Sequence, residues 1–260
     1  MIKWILTNNN ISLHKVKKGW YDMERLDKIL GNLGYGSRKE VKVSCKNGVV
    51  VVDGEVIKDS STKVDPETAV IEVNGERVMY RKYVYLLLNK PAGVVSATFD
   101  NYDETVIDLL DPEYQVFEPF PVGRLDKDTV GFLLLTNDGA LNHKLIAPKN
   151  HVDKVYYAEI DKPVDEKDIE SFRKGIVIDD GYKCMPGKLE IISSTDDGSE
   201  VLVTIQEGKF HQVKRMFEAL DKSVVYLKRV KFGPMELDET LEEGEYRELT
   251  EDEVEILNNL

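Results

Sequence analysis

Residues 123–139 read GRLDKDTVGFLLLTNDG, and the fold is decided by how this stretch is read. Val130 to Leu135 is an apolar run of strand length, and Thr136, Asn137, Asp138 and Gly139 close it as a turn. Ahead of the run, Gly123 opens a polar loop that carries Arg124, Asp126 and Asp128. A buried strand immobilises such a loop while the loop exposes its side chains, which suits a carboxylate acting as nucleophile or general base. The same residues also suit an ordinary turn in which Asp126 and Asp128 accept backbone N–H groups. On the residues alone the two aspartates are equal candidates.

Upstream, the chain becomes periodic at Met23. Leu26, Ile29, Leu30 and Leu33 recur at helical spacing, Gly34 and Gly36 stop that helix, and Ser37 caps a second one. The second helix carries Arg38, Lys39, Lys42 and Lys46 against the single acid Glu40. Asn47-Gly48, Asp53-Gly54 and Asn74-Gly75 then punctuate short strands at Val49–Val52 and Val70–Val73. Two short helices followed by short strands make a compact module over residues 23–82, with a linker from Arg77 to Tyr83. Residues 1–22 fit none of these patterns and are expected to be a disordered extension.

Between the module and the opening stretch lies LNKPAGVVSA, residues 88–97, in which Lys90-Pro91 and Gly93 break one strand from the next. Thr105 to Leu110 reads as one helical turn or two, ended by Asp111-Pro112. Downstream, Ala140 to Ile146 reads as a helix that stops at Pro148, and KVYYAEI, residues 154–160, as a strand. Alternation puts Tyr156 and Tyr157 on opposite faces, with Tyr157 the better core candidate. Val164 to Lys174 follows as an acidic amphipathic helix. Strands at Leu189–Ile192 and Val201–Ile205 flank a Ser-Thr-Asp-Asp-Gly loop. EGKFHQVKRMFEALD, residues 207–221, sets Val213, Met216, Phe217 and Leu220 at helical spacing behind His211, Gln212, Lys214 and Arg215. Thr250 and Glu253 form a capping box before a last short helix.

The composition excludes several classes. No apolar run approaches the roughly 20 residues that cross a bilayer. Cys45 and Cys184 form no CxxC pair, and with four histidines they supply neither a disulfide framework nor a metal-ligand cluster. The net charge of −13 is uneven: residues 1–22 carry +3 and residues 23–82 carry +1, so the acidity belongs to the rest, much of it after Met235. A global negative charge therefore does not forbid a local surface that meets nucleic acid.

Three stretches in this order, GRLD followed by the apolar strand, KVY, and GKFHQVKRM, resemble the motifs of the ribosomal small-subunit pseudouridine synthase A family. RLDK at Arg25–Lys28, SRKE at Ser37–Glu40 and GVVVVDG at Gly48–Gly54 are similar to an S4-type RNA-binding domain, and LNKPAG resembles the opening of the catalytic domain. The resemblance spans nearly everything from Met23 to Thr250. It implies an α+β fold in which a small S4-type domain of two helices and short strands, residues 23–82, precedes a mostly antiparallel-sheet catalytic domain, residues 83–260.

The function implied is isomerisation of one uridine of 16S ribosomal RNA in a small-subunit assembly intermediate, by a cytoplasmic monomer without cofactor, metal or membrane contact. Asp126 falls on the essential catalytic residue, Tyr156 on the active-site tyrosine and Lys214 on the basic residue that pairs with the aspartate, while Arg124 supports the loop. Arg25, Lys28, Arg38, Lys39, Lys42 and Lys46 are the expected RNA contacts. Asp128 is left to turn chemistry. Phe132 stands where the family carries leucine and is expected to affect packing. Rival readings are a large-subunit enzyme of the same superfamily, a non-catalytic ribosome-assembly factor, and a hydrolase using Asp126 with Asp128.

Overall fold

The computed structural model describes residues 23–66, 68–78, 81–147 and 150–260. The expected extension 1–22, the helix stop at Pro148 and part of the linker lie outside these residues. Contacts divide the chain into two units, with the boundary between Lys82 and Tyr83.

In the first unit β1 (Glu24–Arg25) leads into α1 (Leu26–Asn32) and α2 (Arg38–Asn47). The Ser37 side chain accepts from the N–H of Glu40, whose carboxylate accepts from the N–H of Ser37, so a complete capping box starts α2, and Gly48 ends it at φ 79°. β2 (Val50–Val52), β3 (Glu55–Val56), β4 (Lys63–Val64), β5 (Ile71–Val73) and β6 (Glu76–Val78) follow. β1 pairs with β4, and the others form an antiparallel sheet in the order β3-β2-β5-β6. Leu26, Ile29 and Leu30 of α1 and Val41 and Cys45 of α2 pack on Val50, Val52, Ile71 and Val73 in a core of their own.

The second unit begins with β7 (Tyr85–Lys90), then α3 (Pro112–Gln115), β8 (Phe120–Pro121), β9 (Val130–Thr136), α4 (Gly139–Ile146), β10 (Lys154–Ile160) and α5 (Glu166–Lys174). It continues with β11 (Lys188–Thr195), β12 (Gly198–Ile205), α6 (Gln212–Glu218), β13 (Val224–Phe232), β14 (Met235–Glu236), β15 (Tyr246–Glu248) and α7 (Glu251–Asn258). The sheet order is β11-β12-β10-β13-β9-β7-β15, antiparallel except where β13 meets β9.

Every residue of β9 is buried. Leu133 and Leu135 belong to a core covered by Phe172 of α5 and by Val213, Met216 and Phe217 of α6. Phe132 and Leu134 belong to a second core, completed by Leu141 and Leu145 of α4 and Leu257 of α7. A strand covered on both sides has no polar face to alternate with, and this explains the unbroken apolar run. Phe132 stacks on Phe232, ring centroids 6.1 Å apart.

Four local expectations are corrected. Thr105–Leu110 is a pair of turns, because the Asp108 carboxylate accepts from both the N–H and the hydroxyl of Thr105 and competes with helical bonding. Pro112 starts α3 where a stop was expected, at the first helical position that tolerates a missing N–H. After Gly93 there is only the bridge between Val95 and Thr105. The Ser-Thr-Asp-Asp-Gly loop is absorbed into a longer hairpin in which Thr195 pairs with Gly198.

Candidate active site

The loop 123–129 is held from beneath by the LNKPAGVVS segment. The Lys90 ammonium, fully buried at the end of β7, donates to the carbonyls of Pro91 at 2.9 Å, Thr129 at 3.0 Å and Lys127 at 3.4 Å. The Gly93 N–H donates to the same Lys127 carbonyl at 2.8 Å. The Ser96 hydroxyl donates to the Leu125 carbonyl and accepts from the Leu125 N–H, at 2.9 and 3.1 Å. Five bonds on a few residues fix the backbone around Asp126 before any substrate is present, which is what a reacting group requires. Burial pushes the Lys90 ammonium down to about 8, against the pull of Asp128 and Asp126.

From the other side comes α6. His211 precedes it in the left-handed region at φ 49°, an uncommon conformation for a non-glycine residue. Its Nε2 lies 3.6 Å from Asp126 Oδ1. The approach is stabilised by Gln212, which donates to the Glu207 carboxylate and accepts from the N–H of Lys209, both at 3.0 Å. Glu207 also accepts from the Met185 N–H at 2.8 Å and the Tyr182 hydroxyl at 2.5 Å. Arg215 ties the helix to Asp179 and Asp180.

Lys214 is brought to Asp126 as expected, Nζ standing 3.5 Å from Oδ2. Its shorter bonds go to Asp128, at 2.6 and 2.8 Å. Asp128 is therefore an ion-pair partner and more than turn chemistry, and Lys214 holds its carboxyl below the ordinary value. Arg124 is exposed at the rim of the cleft and makes no ion pair with Asp126. The residue that faces Asp126 beside Lys214 is His211, a motif residue given no role from sequence.

Tyr156, 8% exposed, lines the cleft together with Leu125, Asp126, Thr129, Ile205, Val213 and Leu227. The expectation that Tyr157 is the core tyrosine is reversed: Tyr156 belongs to the main core and Tyr157 is only half-buried. A larger cavity, about 520 Å³, opens beside Tyr157, Lys228 and Leu241, but it contains neither Asp126 nor Tyr156. The cleft at Asp126 holds about 60 Å³, yet it gathers a carboxylate, a histidine and an aromatic ring over an apolar floor. Phe210 at its edge is 74% exposed and stacks on His211, centroids 3.7 Å apart.

In the first unit the expected RNA-contact residues divide. Arg25 donates to Asp27 and Lys28 to Glu24, so these two are engaged within the unit. Arg38, Lys39, Lys42 and Lys46 stand exposed on α2 with no ion pair among the described residues. Among the described residues no group of three or more His, Cys, Asp and Glu could hold a metal ion, and no helix is long and apolar enough to cross a membrane. Burial raises both thiols, Cys45 and Cys184.

Comparison with known proteins agrees with this layout. Residues 84–219 match the family described as RNA pseudouridylate synthase, and residues 24–70 match the S4 domain. An uncharacterized RNA pseudouridine synthase of Bacillus subtilis, YtzG, is 53% identical over 90% of this chain and 98% of its own length. Ribosomal small subunit pseudouridine synthase A of Vibrio cholerae is 42% identical over 88% of this chain and 97% of its own. A solved structure described as a pseudouridylate synthase is 38% identical, covers 90% of this chain and 99% of itself, and superposes with a TM-score of 0.63.

Proposed function

The chain belongs to the RNA pseudouridylate synthase family, with an S4 domain ahead of the synthase domain, and from that premise we propose that it isomerises one uridine of 16S ribosomal RNA with Asp126 as the catalytic carboxylate. The observation that carries the assignment is the placement of Asp126 on a clamped loop, 3.5 Å from Lys214 and 3.6 Å from His211, at a cleft walled by Tyr156. A cation beside a carboxylate favours its ionised form, the form needed for attack or proton removal.

The reaction breaks a C–N glycosidic bond, turns the uracil and rejoins it through carbon, with no net redox change and no cofactor. A uridine in folded RNA first leaves its stack, at a cost of a few kcal/mol. The Tyr156 ring is the surface on which the flipped uracil packs, and Leu125, Val213 and Leu227 keep that surface dry. Arg38, Lys39, Lys42 and Lys46 meet phosphates of the surrounding structured RNA and set its register. The small-subunit substrate is supported by the name of the Vibrio relative and by near full-length alignment with it. The protein acts as a cytoplasmic monomer on an assembly intermediate, its RNA-binding part within residues 23–82 and its catalytic part within 83–260.

In Asp126→Asn, tritium release from 5-tritiated uridine in RNA should fall by roughly three orders of magnitude while RNA affinity stays within about twofold. Near-normal release would remove Asp126 from its role. The substrate is tested by mapping pseudouridines in ribosomal RNA from cells lacking the protein. Loss of a 16S site is expected, whereas loss of a 23S site alone would transfer the assignment to the large subunit.

A further inference from the structure

Arg229 is among the largest fully buried side chains, at 2% exposure, and no carboxylate among the described residues pairs with it. Its Nε donates to the Phe132 carbonyl at 2.8 Å, and its guanidinium carbon stands 5.1 Å from the Phe232 ring centroid. Its Nη2 is buried without a hydrogen-bond partner. Lys154 adds a second, half-buried cation, 5.6 Å from the same ring, its ammonium pushed down to about 8 first by burial and then by Arg229. Lys154 donates to the carbonyls of Val152 and Gln206, at 2.9 and 3.4 Å. Charge buried without an anion is costly, and a helical or strand scaffold alone gives no reason to keep it.

The reason lies across the strand pair. Tyr156 on β10 sits opposite Arg229 on β13, next to the register shift between Val155 and Tyr156. Directly opposed residues of an antiparallel pair project to the same face of the sheet, so the Arg229 side chain lies on the face that carries Tyr156. The Tyr156 hydroxyl can accept a hydrogen bond, and its residue lines the cleft.

We propose that Arg229 is a positioning residue for catalysis: it holds the Tyr156 hydroxyl from behind, fixes the plane of the ring against the uracil, and balances negative charge that develops on that oxygen during turnover. The inference rests on the assignment of Tyr156 to the site. The cleft's other charged or titratable groups are Asp126 and Arg124 from the loop and Lys209 and His211 from the approach to α6. Lys154 stands on Tyr156's own strand. The idle Nη2 gives Arg229 a donor in reserve, free to follow charge as it builds.

The test is a double-mutant cycle in the full chain, with Arg229→Gln, Tyr156→Phe and the double variant. Tritium release is read as kcat and KM across pH, and folding by circular dichroism. Arg229→Gln should lower kcat about tenfold or more with KM nearly unchanged, displace the pH profile, and have less than about twofold effect in the Tyr156→Phe background. Arg229→Lys, which keeps the charge but loses the fork, should recover part of kcat. Equal losses in both backgrounds, or an unmoved pH profile, would make Arg229 a purely structural residue and overturn the proposal. Full activity of Tyr156→Phe would instead strike the site assignment itself, and this proposal with it. Should Arg229→Gln not fold, the cycle is run with Arg229→Lys and the same outcomes decide.

Discussion

At the scale of the residue, Gly131 shows how tightly β9 is set against β13. It holds φ +98°, and a Cβ placed there would stand 2.4 Å from the Arg229 carbonyl oxygen. Gly131→Ala should therefore cost about 3 kcal/mol or more, read by denaturant unfolding, because strained backbone and a rigid clash act together. The buried Lys90 and the half-buried Lys154 give a second prediction. Folding lowers Lys90 and Lys154 from 10.5 to about 8, so from about pH 8 to 10.5 the unfolded chain holds more protons than the native one. Stability should rise with pH from about 8 to 9, above which the raised thiols of Cys45 and Cys184 begin to oppose the lysines. Burial shifts Tyr85 and Tyr226 above their ordinary value of 10.0, which reverses the sign above about pH 10. The melting temperature should climb and then fall, and Lys154→Met should flatten the climb; a steady decline from pH 8 would contradict this. None of these roles was legible beforehand. Lys90 read only as part of a chain break and Arg229 drew no reading, because their partners lie 39 and 97 positions away in the chain. That Asp126 and Tyr156 belong together was suggested by their motifs, and both line one cleft.

At the scale of the element, local chemistry decided most outcomes. The strand at Lys154–Ile160 and the capping boxes at Ser37 and Thr250 are visible in sequence, since period and caps are short-range signals. Thr105–Leu110 misled because a side chain, Asp108, took the place of a helical carbonyl. The burial of Tyr156 over Tyr157 depends on which helices cover which face, and strand alternation alone is blind to that. Ser37→Ala should remove the side-chain half of the cap of α2, leaving the backbone N–H of residue 37 to the Glu40 carboxylate, and cost about 1 kcal/mol, read in the unfolding of the first unit. RNA affinity should fall with it, since the cap starts the helix that presents Arg38, Lys39 and Lys42.

For the whole molecule, charge is divided between the units. The acidic second unit has Asp238 and Glu253 neutralised by Arg247, while the cations of α2 have no ion pair among the described residues. Neutralising two of them, Lys39→Gln with Lys42→Gln, should weaken RNA binding and reduce the slope of log affinity against log salt by about two. An unchanged slope would place the phosphate contacts elsewhere. The cleft spans three neighbouring strands: the Asp126 loop feeds β9, Arg229 lies on β13 and Tyr156 on β10. Two strand steps, about 10 Å, therefore set the span of the site. Tyr156 and Tyr157 are one step apart on β10 and face opposite sides of the sheet. Loss of a single codon just ahead of them would bring Tyr157 to the cleft and turn Tyr156 out of it, so heredity must copy this strand to the right parity.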